Sequence, residues 1–191
     1  MPKGPLRREE KADHEKDSWD RFADTFHDPL VRVIPVDASR RILKGRILAV
    51  QAALLYMIEF GVPAKEALRL AKACGDDGPI AYQIVGYDAK IAKIYGERAE
   101  RLSMDDFMRH MRTGPRVLTR AGYDVERTGV DPDFEGRVLT LRTCLRAAAR
   151  QDVVPEDIEK IMSLFGEAGK CAYVSEDYKA AYLSRRERAR R

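Results

Sequence analysis

Residues 47–58 form a 12-residue stretch without a charge, set inside a longer segment whose apolar side chains recur at helical intervals. Leu43, Ile47, Val50, Leu54, Met57 and Ile58 share one face, and Leu48 and Leu55 widen the apolar arc beyond it. A helix apolar over so wide an arc has to be enclosed by other elements. The pattern therefore predicts a long central core helix from about residue 39 to Phe60, with Asp37 or Ser39 as its cap. The uncharged stretch falls short of the roughly 20 residues that a membrane-spanning helix needs, so no span is expected.

What encloses that helix is read from the rest of the chain. With 191 residues, 45% hydrophobic and 35% charged, there is apolar material for one compact domain. Residues 1–36 read as an arm and linker: the first 18 carry balanced charge and almost nothing apolar, and Trp19, Phe22 and Phe26 then recur at helical spacing, as in a short amphipathic helix docking on the core. Residues 37–183 read as a single helical domain and 184–191 as a basic tail. Gly61 stops the central helix and Pro63 opens the next, through Ala64, Ala67, Leu68, Ala71 and Cys74.

Beyond the turn at 75–79, the segment 80–87 fits helix or strand equally. Asp88 caps a helix to about Leu102, and Ser103 with Asp106 opens another to about Arg112. The stretch 116–136 is the least helical and allows a small β-hairpin near 116–130. Helices follow over 136–151, 155–168 and 175–189, the last capped by Ser175. The fold class is all-α, a compact multi-helix domain. Cys74, Cys144 and Cys171 form no C-x-x-C pair, and no apolar run follows the charged N-terminus. Reduced thiols in a cytoplasmic protein are expected.

The charge is modest in sum and segregated in sequence. The net +4 conceals three blocks of +4 each: Arg40, Arg41, Lys44 and Arg46; Arg137, Arg142, Arg146 and Arg150; and Arg185, Arg186, Arg188, Arg190 and Arg191 against Glu187. The rest of the chain thus carries −8. Such a chain can present a local positive field to a polyanion. Arg40, Arg41 and Lys44 fall in the first turns of the central helix, where the helix dipole disfavours cations, which points to an anionic partner. Arg142, Arg146 and Arg150 form a like-charged i, i+4 stripe beside the core-facing Val138, Leu141, Leu145 and Ala148. Neutralising partners for that stripe are either a polyanion or Glu156, Asp157 and Glu159 across the next turn.

The helices meeting at Gly61 resemble a helix-turn-helix in degenerate form, with Lys65, Arg69 and Lys72 as one basic face of the second helix. Met57, Pro63 and the length of the first helix depart from that pattern. An ordinary helical hairpin with a solvated basic face is the plainer alternative.

Catalytic and metal patterns fail. His27 and Asp28 lack the further ligands of a metal-dependent phosphohydrolase. Asp131, Asp133, Glu135, Gly136 and Val138 mimic half an EF-hand loop, but Pro132 interrupts it and Arg142 stands where the bidentate carboxylate belongs. No phosphate-binding glycine loop, dinucleotide fingerprint or nucleophile elbow occurs. The expectation is a non-enzymatic protein without cofactor or metal. It binds duplex DNA in a regulatory or architectural role, as a homodimer, through Lys65, Arg69 and Lys72 with Arg40, Arg41, Lys44, Arg142, Arg146, Arg150, Arg185 and Arg186 on phosphates. The alternative is a helical protein-interaction module, adaptor or oligomer, with no nucleic-acid role.

Overall fold

The computed structural model describes residues 18–24, 38–111 and 132–191. Within them the protein is all-α: α1 (Ser18–Asp24), α2 (Ala38–Glu59), α3 (Ala64–Ala73), α4 (Asp77–Val85), α5 (Tyr87–Tyr95), a 3-10 helix (Gly96–Arg101), α6 (Asp105–Met111), α7 (Pro132–Arg150), α8 (Pro155–Ser163), α9 (Gly166–Glu176) and α10 (Tyr178–Ala189). The hairpin expected near 116–130 lies outside the described residues.

The predicted central helix is α2, enclosed on all sides over the uncharged stretch: Ala49, Val50, Ala53, Leu54 and Met57 have no exposed surface. It crosses α7, whose Leu141, Leu145 and Ala148 are equally buried. The runs of alanine on both helices let their backbones come close. Around this crossed pair, α3 and α4 pack on one another and on the pair, while α8 and α9 pack on one another and α9 lies along α7.

The end of α2 follows from its glycine. Gly61 is left-handed, with φ +65°, and the Val62 N–H returns to the Met57 carbonyl at 3.1 Å, closing the helix as a glycine cap does. The Tyr95 hydroxyl donates to the Ile58 carbonyl at 2.9 Å, serving another of the free acceptors at that end.

The segment that read equally as helix or strand is α4. Its Gly78 lies against α3 so closely that a Cβ there would stand 1.7 Å from the Ala71 carbonyl oxygen. Only a residue without a side chain lets the two backbones touch, and the contact fixes the helix. The same device shapes the region expected as one helix over 155–168 and another over 175–189. The chain instead breaks at Leu164 and Phe165 and runs as α8 and α9, with Gly166 at φ +60° and a Cβ on Gly169 falling 1.8 Å from the Met162 carbonyl oxygen. Ser175, expected as a cap, sits inside α9 and donates to the Ala172 carbonyl at 3.1 Å. Asp177, in the left-handed region, separates α9 from α10.

Part of the expected arm is folded. In α1, Trp19 and Phe22 are buried in the core, while Phe26 lies outside the described residues. The Ser18 N–H and hydroxyl both donate to Asp157 Oδ2 (2.9 and 2.5 Å), and the Val154 N–H donates to the Ser18 hydroxyl at 2.9 Å. This locks α1 to the start of α8. All three cysteines are buried and unpaired; burial pushes the Cys74 thiol up to about 12 and the Cys171 thiol to about 11. No described helix is long and apolar enough to cross a membrane.

Candidate anion-binding cleft

The basic blocks meet three different fates. In the first, Arg40 and Arg41 stand in the first turn of α2, their side chains outside the described part, and Lys44 is half-buried. Arg46 is tied to Asp77 of α4 at 2.8 Å and lies over the Phe165 ring.

The second block turns largely inward. Arg137 donates to the Ala73 carbonyl at 2.9 Å. Arg142, with its side chain 5% exposed, reaches the Met111 carbonyl at 3.1 Å and Glu176 at 2.8 Å. Arg146 donates to the His110 carbonyl at 3.0 Å and to Glu176 at 3.1 Å. Three arginines of α7 thus satisfy the carbonyl ends of α3 and α6, where the helix dipole favours a cation. Repulsion between Arg142 and Arg146 is relieved by Glu176, not by the acids expected across the next turn. Asp157 is instead engaged by Ser18 and Lys160. Burial pulls the Arg142 guanidinium down from its usual range, and the charge of Glu176 opposes that pull. As the structure stands, Arg142 is out of reach of a nucleic acid.

Arg150 keeps one foot in each setting. It pairs with Glu59 and lies 4.3 Å from the centre of the Tyr56 ring, yet its side chain is 42% exposed.

The third block is not a separate tail: residues 184–189 continue α10, and every residue from Leu183 to Arg191 is exposed. Arg186 folds back on Tyr182, bonding its hydroxyl at 2.8 Å. Tyr178 and Tyr182 pack on the core, and Leu183 is exposed.

Two of these blocks converge. Arg146 and Arg150 from α7 and Arg185 and Arg188 from α10 line one open cleft of about 410 Å³, with Tyr56, His110 and Glu176 also in its wall and Ala149 and Ala181 contributing apolar surface. The lining carries four arginines against one carboxylate, Glu176, a surplus of three positive charges; Arg142 and Glu59 pair with Glu176 and Arg150 from outside it. His110 stacks on Phe60 at 4.3 Å and stands 2.9 Å from the Tyr56 hydroxyl. Burial, followed by the charges of Arg146 and Arg150, lowers its pKa from the ordinary 6.5, against the opposing charge of Glu176. The imidazole is therefore neutral at pH 7. The arrangement can neutralise and orient an anion. Among the described residues no group of His, Cys, Asp and Glu could hold a metal ion.

Lys65, Arg69 and Lys72 are exposed together on α3 and stand apart from this cleft. Arg69 is engaged by Glu66 at 2.9 Å. Helix α3 packs chiefly on α4 and α7 and only lightly on α2, whereas in a helix-turn-helix the second helix closes on the first. The sequence reading missed Tyr56, Glu59, His110 and Glu176 as members of a site. No local pattern marks any of the four. Comparison with known protein families, curated proteins and solved structures finds no match to the chain.

Proposed function

We propose that the protein binds duplex DNA through its phosphates, in a regulatory or architectural role, with α10 and the rim of the cleft as the principal contact. The observation that carries this reading is the convergence of Arg146 and Arg150 with Arg185 and Arg188, continued by Arg186, Arg190 and Arg191 along an exposed helix end. Guanidinium groups meet phosphates bidentately, so a surface whose lasting cations are arginines suits a sugar–phosphate backbone. Lys65, Arg69 and Lys72 add a second, weaker patch, since Arg69 shares its charge with Glu66. Contacts of this kind position a protein on a duplex without reading bases, so binding is independent of sequence. The buried thiols suit the reducing cytoplasm included in this reading.

Titration of a short labelled duplex by fluorescence anisotropy across a salt series tests it. Each phosphate contact contributes about −0.9 to the slope of log affinity against log salt. Replacing Arg185 and Arg188 by Gln flattens the slope by about 1.8. No binding at low salt overturns the reading. A second reading, a helical interaction module or homodimer, draws on the exposed Ile80, Ile94, Val174 and Leu183 and on the internal pairing of the α7 arginines. A protein that sediments as a dimer and ignores DNA favours it.

A further inference from the structure

We propose that the cleft between α6, α7 and α10 is itself a binding site for a small organic polyphosphate, of the class of a nucleoside diphosphate or triphosphate. This goes beyond the DNA reading and does not depend on it. The cleft volume of about 410 Å³ falls within the roughly 300–1,000 Å³ of small-ligand sites.

Its two sides are built differently. On the α7 side the guanidiniums are held in place. Arg146 is fixed by the His110 carbonyl and Glu176, and Arg150 by the Tyr56 ring and Glu59. On the α10 side Arg185 and Arg188, one helical turn apart, have no acid partner among the described residues and are free to close over a ligand. Preorganised donors opposite mobile ones suit capture of a group with several acceptor oxygens.

Charge sets the size of that group. A phosphate monoester carries about −1.5 to −2 at neutral pH, so a surplus of three cations is matched by two or three linked phosphates and under-used by one. The apolar surface of Ala149 and Ala181 suits an organic body beside the phosphates.

The test uses the full chain and isothermal titration with inorganic pyrophosphate, inorganic phosphate, ATP and adenosine. The expected order is ATP and pyrophosphate tighter than phosphate, with adenosine silent. Arg185→Gln with Arg188→Gln weakens pyrophosphate by about tenfold or more, as loss of two charge-assisted contacts requires. Arg190→Gln with Arg191→Gln, which removes the same charge outside the cleft, changes it by less than about twofold, because exposed charges beyond the contact are screened. Helix content by circular dichroism establishes that both variants are folded. Equal weakening in the two variants, or no saturable pyrophosphate binding by the unaltered protein, overturns the proposal. The two readings fail separately: a protein that binds duplex and ignores pyrophosphate keeps only the DNA reading, and one that saturates with pyrophosphate and ignores duplex keeps only this one.

Discussion

Replacing Glu176 by Gln attacks the junction on which the arginine side of the cleft rests. Glu176 accepts from Arg142 at 2.8 Å and from Arg146 at 3.1 Å, and the two partners differ in burial: the Arg142 side chain is 5% exposed and that of Arg146 23%. Glutamine keeps the shape and an acceptor oxygen but removes the charge. Solvent and the His110 carbonyl then hold Arg146, while Arg142 is left charged in the interior without a counter-charge, bonded only to neutral acceptors such as the Met111 carbonyl. Breaking a buried pair in this way costs about 3–5 kcal/mol. For a protein of this size that is a fall in Tm of roughly 6–20 °C, at about 2–4 °C per kcal/mol.

Urea denaturation of Glu176→Gln, Arg142→Met and the double variant separates the pair from its surroundings. Methionine spares the interior a charge, so the double variant is more stable than the sum of the single losses by at least about 1 kcal/mol. A Glu176→Gln protein within about 0.5 kcal/mol of the unaltered one, or a strictly additive cycle, refutes the reasoning, because the charge would then not be buried in solution.

Other consequences are open to direct measurement. Gly78→Ala forces a Cβ to within 1.7 Å of the Ala71 carbonyl oxygen, so α3 and α4 separate and thermal melting reports a loss of about 2–4 kcal/mol; a neutral substitution removes the close crossing. Trp19→Ala empties the seat of α1 in the core, and amide exchange over 18–24 becomes fast while α2 and α7 stay protected.

The pKa of His110 is lowered by burial and by Arg146 and Arg150, with Glu176 opposing and the Tyr56 hydroxyl as its bonded neighbour. As pH falls the unfolded chain takes up this proton first. The group therefore contributes stability above about 6.5 that is lost as pH drops through the lower folded value. NMR titration of the His110 ring tests this, and a midpoint at or above 6.5 contradicts it. Pyrophosphate seated in the cleft raises the midpoint by favouring the imidazolium.

The extent to which the amino-acid order discloses this fold depends on the range of each interaction. Helix α2 is legible because its buried positions repeat every three or four residues, and Gly61 and Pro63 punctuate its end within the same window. Gly78 and Gly169 also stand in plain view, but what they touch, the carbonyls of Ala71 and Met162, follows only once the helices are packed. Local pattern alone therefore leaves α4 ambiguous and does not locate the break between α8 and α9.

The arginines show the same division more sharply. Their positions along α7 reveal a like-charged stripe, which is electrostatically uncomfortable in isolation. The relief comes from Glu176, which lies 34 residues beyond Arg142, and from Glu59, 91 residues before Arg150. A local search for acids finds Glu156, Asp157 and Glu159 instead. The cleft joins α7 to the last helix through the packing of α9 and α10 against α7, so neither arginine block contains the information that the other is beside it.

The most direct test of the central claim is hydrogen–deuterium exchange of the full chain with and without duplex DNA. Slowed exchange is expected over residues 183–189 of α10 and the end of α7 around Arg146 and Arg150, with little change over α3. Slowing confined to residues 64–73 would place the duplex on the Lys65, Arg69 and Lys72 face and contradict the cleft-centred account.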